Sequence, residues 1–159
     1  MIFKIIVLFF IMMSFVISGT AYATQELNLP DIKITPGSFY YSFKRIWEKG
    51  WEKLQFNSTS KIAFYESQLK TRLAELNYVV EKKLLSEVQK STERFAYTAG
   101  ILAETLVKEN KDQEKTVEEF RKIQIYLEKL RDQYPANSSF WMLVQHDINT
   151  LGILSEKLK

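Results

Sequence analysis

Apolar residues recur along this chain at three- and four-residue steps in five separate stretches, the period of α-helices that each bury one face. Phe39, Phe43, Ile46 or Trp47, Gly50 and Leu54 mark a first helix over residues 39 to about 55, with Ser38 as its N-cap. Asn57-Ser58-Thr59-Ser60 breaks and caps. Ile62, Tyr65, Leu69, Leu73, Leu76 and Val80 then mark a second helix, to about residue 82. No Gly or Pro separates it from the third, but Ser86-x-x-Gln89 has capping-box form and puts a break near Lys83. Val88, Phe95 and Leu102, with Thr92, Ala99 and Leu106 between them, keep a seven-residue spacing, the seam of a bundle helix over residues 87–109. Asn110-Lys111-Asp112 ends it, and Asp112 is the candidate cap for a fourth helix carrying Val117, Phe120, Ile123, Leu127, Leu130 and Tyr134, stopped by Pro135. Phe140, Val144, Ile148, Leu151, Leu154 and Leu158 mark a fifth. The expected fold is all-α, an antiparallel bundle of about five helices.

The N-terminal residues do not share this pattern. Lys4 precedes an uncharged, largely apolar run over residues 5–17, and small polar residues lead to Ala21-Tyr22-Ala23, the A-x-A form of a signal-peptidase site. About 13 residues at 1.5 Å rise cover roughly 20 Å, short of the ~30 Å hydrocarbon core, so cleavage after Ala23 is expected over retention as an uncleaved anchor. No Cys follows the run, which excludes a bacterial lipoprotein. The reading is a signal peptide over residues 1–23, an extended leader over 24–35 containing Pro30, and one helical domain over 36–159, exported to the periplasm or the extracellular space.

Composition narrows the picture. Only 5 Gly and 3 Pro among 159 residues disfavour a many-stranded sandwich or barrel, and the absence of Cys leaves neither a disulfide nor a thiolate metal site to hold the fold. The formal net charge of +3 is spread along the chain, so nucleic acid is not an expected partner. His146 is the one histidine. It has no Cys and no G-x-S-x-G elbow to serve, and Leu143 stands where a Glu-x-x-His pair would need its carboxylate. No P-loop, dinucleotide fingerprint or H-E-x-x-H motif occurs. Carboxylate pairs such as Glu118-Glu119, or Glu48 with Glu52, could in principle hydrolyse a glycan, but each stands among Lys and Arg on a helix face expected to be solvated. No catalytic, cofactor or metal site is expected. Asn57-Ser58-Thr59 and Asn137-Ser138-Ser139 match the glycosylation pattern and are read as helix caps.

The first helix is unusual in another way. Phe39, Tyr40, Tyr41, Phe43, Trp47 and Trp51 crowd it, with Lys44, Arg45, Lys49 and Lys53 set against Glu48 and Glu52. One stripe cannot bury so much aromatic surface. The expectation is that helices two and five wrap this helix on both sides, with Tyr40, Trp47 and Trp51 at its flanks as the candidate contact surface for an envelope protein or polymer, or for peripheral attachment to a membrane. No oligomeric state is assigned.

Pro36, Gly37, Ser38, Tyr41, Lys44 and Glu48 fit the opening motif P-G-[SD]-x-x-Y-x-x-K-x-x-x-E, and Phe56, Lys61 and Arg72-Leu73-Ala74-Glu75 follow at matching places. On these residues the stretch 34–81 resembles an uncharacterised prokaryotic family of exported or membrane-tethered helical domains, a domain of unknown function. Ser42 stands where family members often carry Pro. The resemblance implies an all-helical extracytoplasmic domain and carries over no catalytic residue. Physically the motif reads as an anchor: Pro36 and Gly37 turn the chain, Ser38 caps, and Tyr41 packs its ring on helix two with its hydroxyl in water. The export reading predicts that the protein recovered from an expressing bacterium begins at Thr24 by intact mass, and a mature species still carrying residues 1–23 would overturn it.

Overall fold

A computed structural model describes residues 27–111 and 113–159; the expected signal peptide, with Ala21 and Ala23, lies outside them, as does Asp112. The described residues form five α-helices: α1 (Tyr41–Lys53), α2 (Ser58–Glu81), α3 (Leu85–Lys108), α4 (Glu114–Arg131) and α5 (Ser139–Lys157). No strand occurs among the described residues.

Local chemistry explains most of the boundaries. The Asn57 side chain accepts a hydrogen bond from the Ser60 amide at 2.7 Å and starts α2, and the Ser138 hydroxyl accepts from the Trp141 amide at 3.2 Å and starts α5. Between α2 and α3 the chain turns through Lys83 at φ 53°, a left-handed residue that closes one helix and frees the next, where the break was expected. Asn110 at φ 47° ends α3 in the same way. Two expected caps do not form. Helix α3 opens at Leu85 with no side-chain cap, so Ser86 and Gln89 make no capping box, and Gln89 instead donates to Glu93 at 2.9 Å. Ser38 does not cap α1, which starts at Tyr41 after an uncapped Tyr40. Its hydroxyl donates to the Thr35 carbonyl at 2.8 Å, and its own carbonyl receives the Tyr41 amide at 3.0 Å, so Ser38 closes the turn that precedes the helix. Helix α4 ends at Arg131, four residues short of the proline expected to stop it.

Helices α2 to α5 enclose the core. Leu69, Leu73, Leu76, Phe95, Leu102, Phe120, Ile123, Leu127, Val144 and Leu151 are fully buried, and every residue of the expected α3 seam is buried. Helices α2 and α4 are also tied by a polar ladder whose members advance together along both: Glu66 with Lys115 at 3.1 Å, Glu119 with Lys70 at 3.2 Å, and Asn77 with the Tyr126 hydroxyl at 2.8 Å. From the leader, Leu27 and Leu29 pack against the core as partly buried residues. Helix α1 contributes one buried residue, Tyr41.

Among the described residues, one buried carboxyl lies in this core without a partner. Asp147 is 1% exposed, and its Oδ2 atom has no hydrogen-bond partner. Burial away from water pushes its carboxyl up to about 8. The folded state therefore holds a proton on Asp147 that the unfolded chain releases near pH 4, so stability falls as pH rises from about 4 to about 8. Chemical denaturation across this range is expected to show Asp147→Asn gaining several kcal/mol over the parent protein by pH 8 and little near pH 4; parallel pH profiles would refute the buried neutral acid.

Candidate functional site

The charges of α1 and α2 meet where apolar residues would ordinarily be found. Arg72 and Glu75, one helical turn apart on α2, are 2% and 1% exposed and pair through Arg72 Nη1 and Glu75 Oε2 at 2.7 Å. Three side chains of α1 join them. The Tyr41 hydroxyl donates to Glu75 Oε2 at 2.7 Å, Lys44 Nζ donates to Glu75 Oε1, and Glu48 Oε2 accepts from Arg72 Nη2. Gln68 accepts a further bond from Arg72 Nη2 at 2.9 Å, and Arg45 pairs with Glu48 at 3.2 Å. One turn further along α1, Glu52 accepts from the Tyr65 hydroxyl at 2.8 Å. Helix α3 reaches the same cluster, laying the Arg94 guanidinium 4.8 Å from the centre of the Tyr41 ring.

The energetics of the cluster follow from its partners. Burial is the largest influence on Glu75 and raises its carboxyl, but the Arg72 charge and the hydrogen bonds from Lys44, Tyr41 and Arg72 together outweigh it and hold the group below the usual carboxylate range. Arg72 is likewise disfavoured by burial, then held above its ordinary range by Glu75 and Glu48. Burial and the Glu75 charge push the Tyr41 phenol well above its usual range, so it stays a donor. The Tyr41 hydroxyl is thus not in water, as expected from the sequence, but is a buried link to α2. Nor do Glu48 and Glu52 lie on a solvated face: both point into the bundle. An ionised Glu75 favours folding above the normal glutamate range, a contribution lost on acidification.

This cluster decides the orientation of α1. At 3.6 residues per turn Tyr41, Glu48 and Glu52 share one side, so Phe39, Phe43, Gly50 and Leu54 lie on the other, turned away from the bundle. The apolar stripe expected to be wrapped by helices two and five is therefore exposed. Phe39 is 79% exposed, Trp47 69% and Trp51 48%, and Tyr40, Phe43, Ile46, Leu54 and Phe56 are exposed with them. The Trp47 and Trp51 rings meet edge to face at 6.2 Å, and Phe39 packs between Tyr40 and Phe43 at 5.7 and 6.0 Å. Ile34, Phe43, Trp47, Trp51 and Leu54 line a shallow open groove along this face.

The other motif residues support this placement. Pro36 is buried and Gly37 turns the chain at φ 84°, close enough to Glu87 of α3 that a Cβ there would stand 3.4 Å from the Glu87 side chain. Leu73 is in the core, and Lys61 is half-buried in the first turn of α2. The structure thus brings Tyr41, Lys44, Glu48, Arg72 and Glu75 into one cluster, places Pro36, Gly37 and Ser38 in the turn before it, and leaves Tyr40, Trp47 and Trp51 at the surface. His146 is exposed, and Glu118 pairs on the surface with Arg121 at 3.0 Å. No group of three or more His, Cys, Asp or Glu among the described residues is arranged to hold a metal ion.

Residues 33–133 match the family described as Domain of unknown function (DUF5667). The chain belongs to that family. The DUF5667 match takes in the turn before α1 and all of α1 to α4, well beyond the stretch that carries the opening motif, and stops ahead of α5. No curated protein and no solved structure gives a significant match.

Removing one member of a buried ion cluster leaves its partners charged and unpaired. Arg72→Met is expected to cost about 3–5 kcal/mol in urea unfolding, and the double variant Arg72→Met/Glu75→Leu less than the sum of its parts. Trp47→Ala, on the exposed face, is expected to stay within about 0.5 kcal/mol of the parent. Strict additivity, or a large loss from Trp47→Ala, would contradict this arrangement.

Proposed function

We propose that this protein is a non-enzymatic, exported helical module of the bacterial cell envelope, which binds an envelope component through the outward face of α1. In this reading residues 1–23 are removed after Ala23, residues 36–159 form a single domain of helices running antiparallel, and the mature protein works in the periplasm or outside the cell. The observation that carries the reading is the inverted seating of α1, whose polar side faces the bundle and whose aromatic side faces away. A soluble bundle with no partner gains by turning such a stripe inward. Here buried charges hold it outward, which suits a helix meant to be covered by something else.

Photo-crosslinking side chains placed at Tyr40 and Trp47 of the exported protein, with a control at half-exposed Lys122 on α4, test this in cells. Specific adducts at the first two positions and none at the third are the expected outcome. Equal labelling at all three, or no adduct at Tyr40 and Trp47, would remove the contact surface and leave a purely structural bundle.

A further inference from the structure

We propose that the component covered by α1 is a lipid surface: α1 lies in the interface of an anionic bilayer, its aromatic face among the acyl chains and its lysines at the headgroups. The inference rests on the reading of α1 as a contact face and names what covers it.

Of the 15 large hydrophobic side chains exposed among the described residues, nine fall between Ile34 and Phe56, on α1 and the segments beside it, whereas Leu85, Tyr97, Val107, Ile125, Met142 and Ile153 are scattered over α3 to α5. At 13 residues α1 is about 20 Å long. That is enough to lie in an interface and too little to cross one, and no helix among the described residues is long and apolar enough to span a membrane. The side chains suit this setting. Trp and Tyr carry an apolar ring with a polar edge and collect at the headgroup level, and Trp47 and Trp51 stand side by side at one margin of the stripe.

The charges select an anionic surface. Both acids of α1 turn to the inner side, Glu48 pairing with Arg72 and Glu52 accepting from the Tyr65 hydroxyl. Lys49 and Lys53 are exposed, form no ion pair among the described residues, and lie along the opposite margin of the stripe from the tryptophans. The outward half of α1 is thus aromatic and cationic, with its two acids turned to the other side. A bilayer bearing anionic headgroups supplies that complement, at about 1 kcal/mol per basic residue near its surface. A second copy laid antiparallel on this face would bring the lysine margins of both copies to the same side. Ile34 of the leader also contributes to the apolar face.

The test uses the full mature chain and vesicles of phosphatidylcholine alone or mixed with phosphatidylglycerol at about 2:1. Flotation is expected with the anionic vesicles, weakened by salt, together with a blue shift of tryptophan emission. Phe43→Ser/Trp47→Ser is expected to reduce binding at least roughly tenfold. Lys49→Glu/Lys53→Glu is expected to abolish the preference for anionic lipid while leaving the helical circular dichroism unchanged. No flotation with either vesicle, or flotation indifferent to both variants, overturns the inference. If vesicles fail while crosslinks from Tyr40 and Trp47 capture a protein or a glycan, the contact face stands and lipid is the wrong occupant. Self-association that rises with concentration and is lost in Trp47→Ser would assign the face to a second copy. Failure of both vesicles and crosslinks removes the contact face itself.

Discussion

A carboxylate and a guanidinium buried one turn apart on α2 govern this structure. Neither Arg72 nor Glu75 tolerates burial alone, and each has more hydrogen-bonding capacity than the other can satisfy. Gln68 adds one bond and α1 adds the others, its Tyr41, Lys44 and Glu48 spaced so that one helical face delivers a hydroxyl, an ammonium and a carboxylate to the same place, while Arg72 Nε is left without a partner. Once those three are committed inward, helical geometry leaves the aromatic residues no direction but outward. The position of the first helix, its rotation about its own axis and the character of the surface therefore descend from one polar requirement.

Most of the architecture was readable along the chain. The core residues of α2 and the seam of α3 stand where their periodicity puts them, because each stripe has an apolar partner across the bundle and burial rewards it. The break falls at Lys83 as expected, although the Ser86-x-x-Gln89 box that pointed to it does not form and a left-handed Lys83 makes the turn instead. Caps were less legible: Ser38, Ser86 and Ser138 look alike in sequence, and only Ser138 meets the amide two to three residues on. Neighbouring contacts decide which serine is free to cap.

The candidate site was legible in its parts and illegible in its orientation. Periodicity finds the stripe of α1 but assumes that the more apolar side faces the core, an assumption that fails when buried charges elsewhere demand polar partners. A signal was present. Arg72 and Glu75 flank the Leu69-Leu73-Leu76 stripe three residues apart, and Tyr41-x-x-Lys44-x-x-x-Glu48 offers them matching groups. Asp147 carried a similar signal, standing three residues after Val144 and four before Leu151, within the stripe of α5 rather than opposite it.

The polar seating of α1 also shapes how the molecule comes apart. Releasing a helix from an apolar core exposes hydrocarbon to water and raises the heat capacity, whereas releasing α1 would expose chiefly a phenol, an ammonium, a guanidinium and carboxylates, whose hydration lowers it. The enthalpy of α1 is that of ion pairs and hydrogen bonds, while the heat-capacity signature of unfolding belongs to α2 through α5. The first helix is thus thermodynamically a different material from the bundle it rests on, bound by forces that strengthen in a medium of low dielectric.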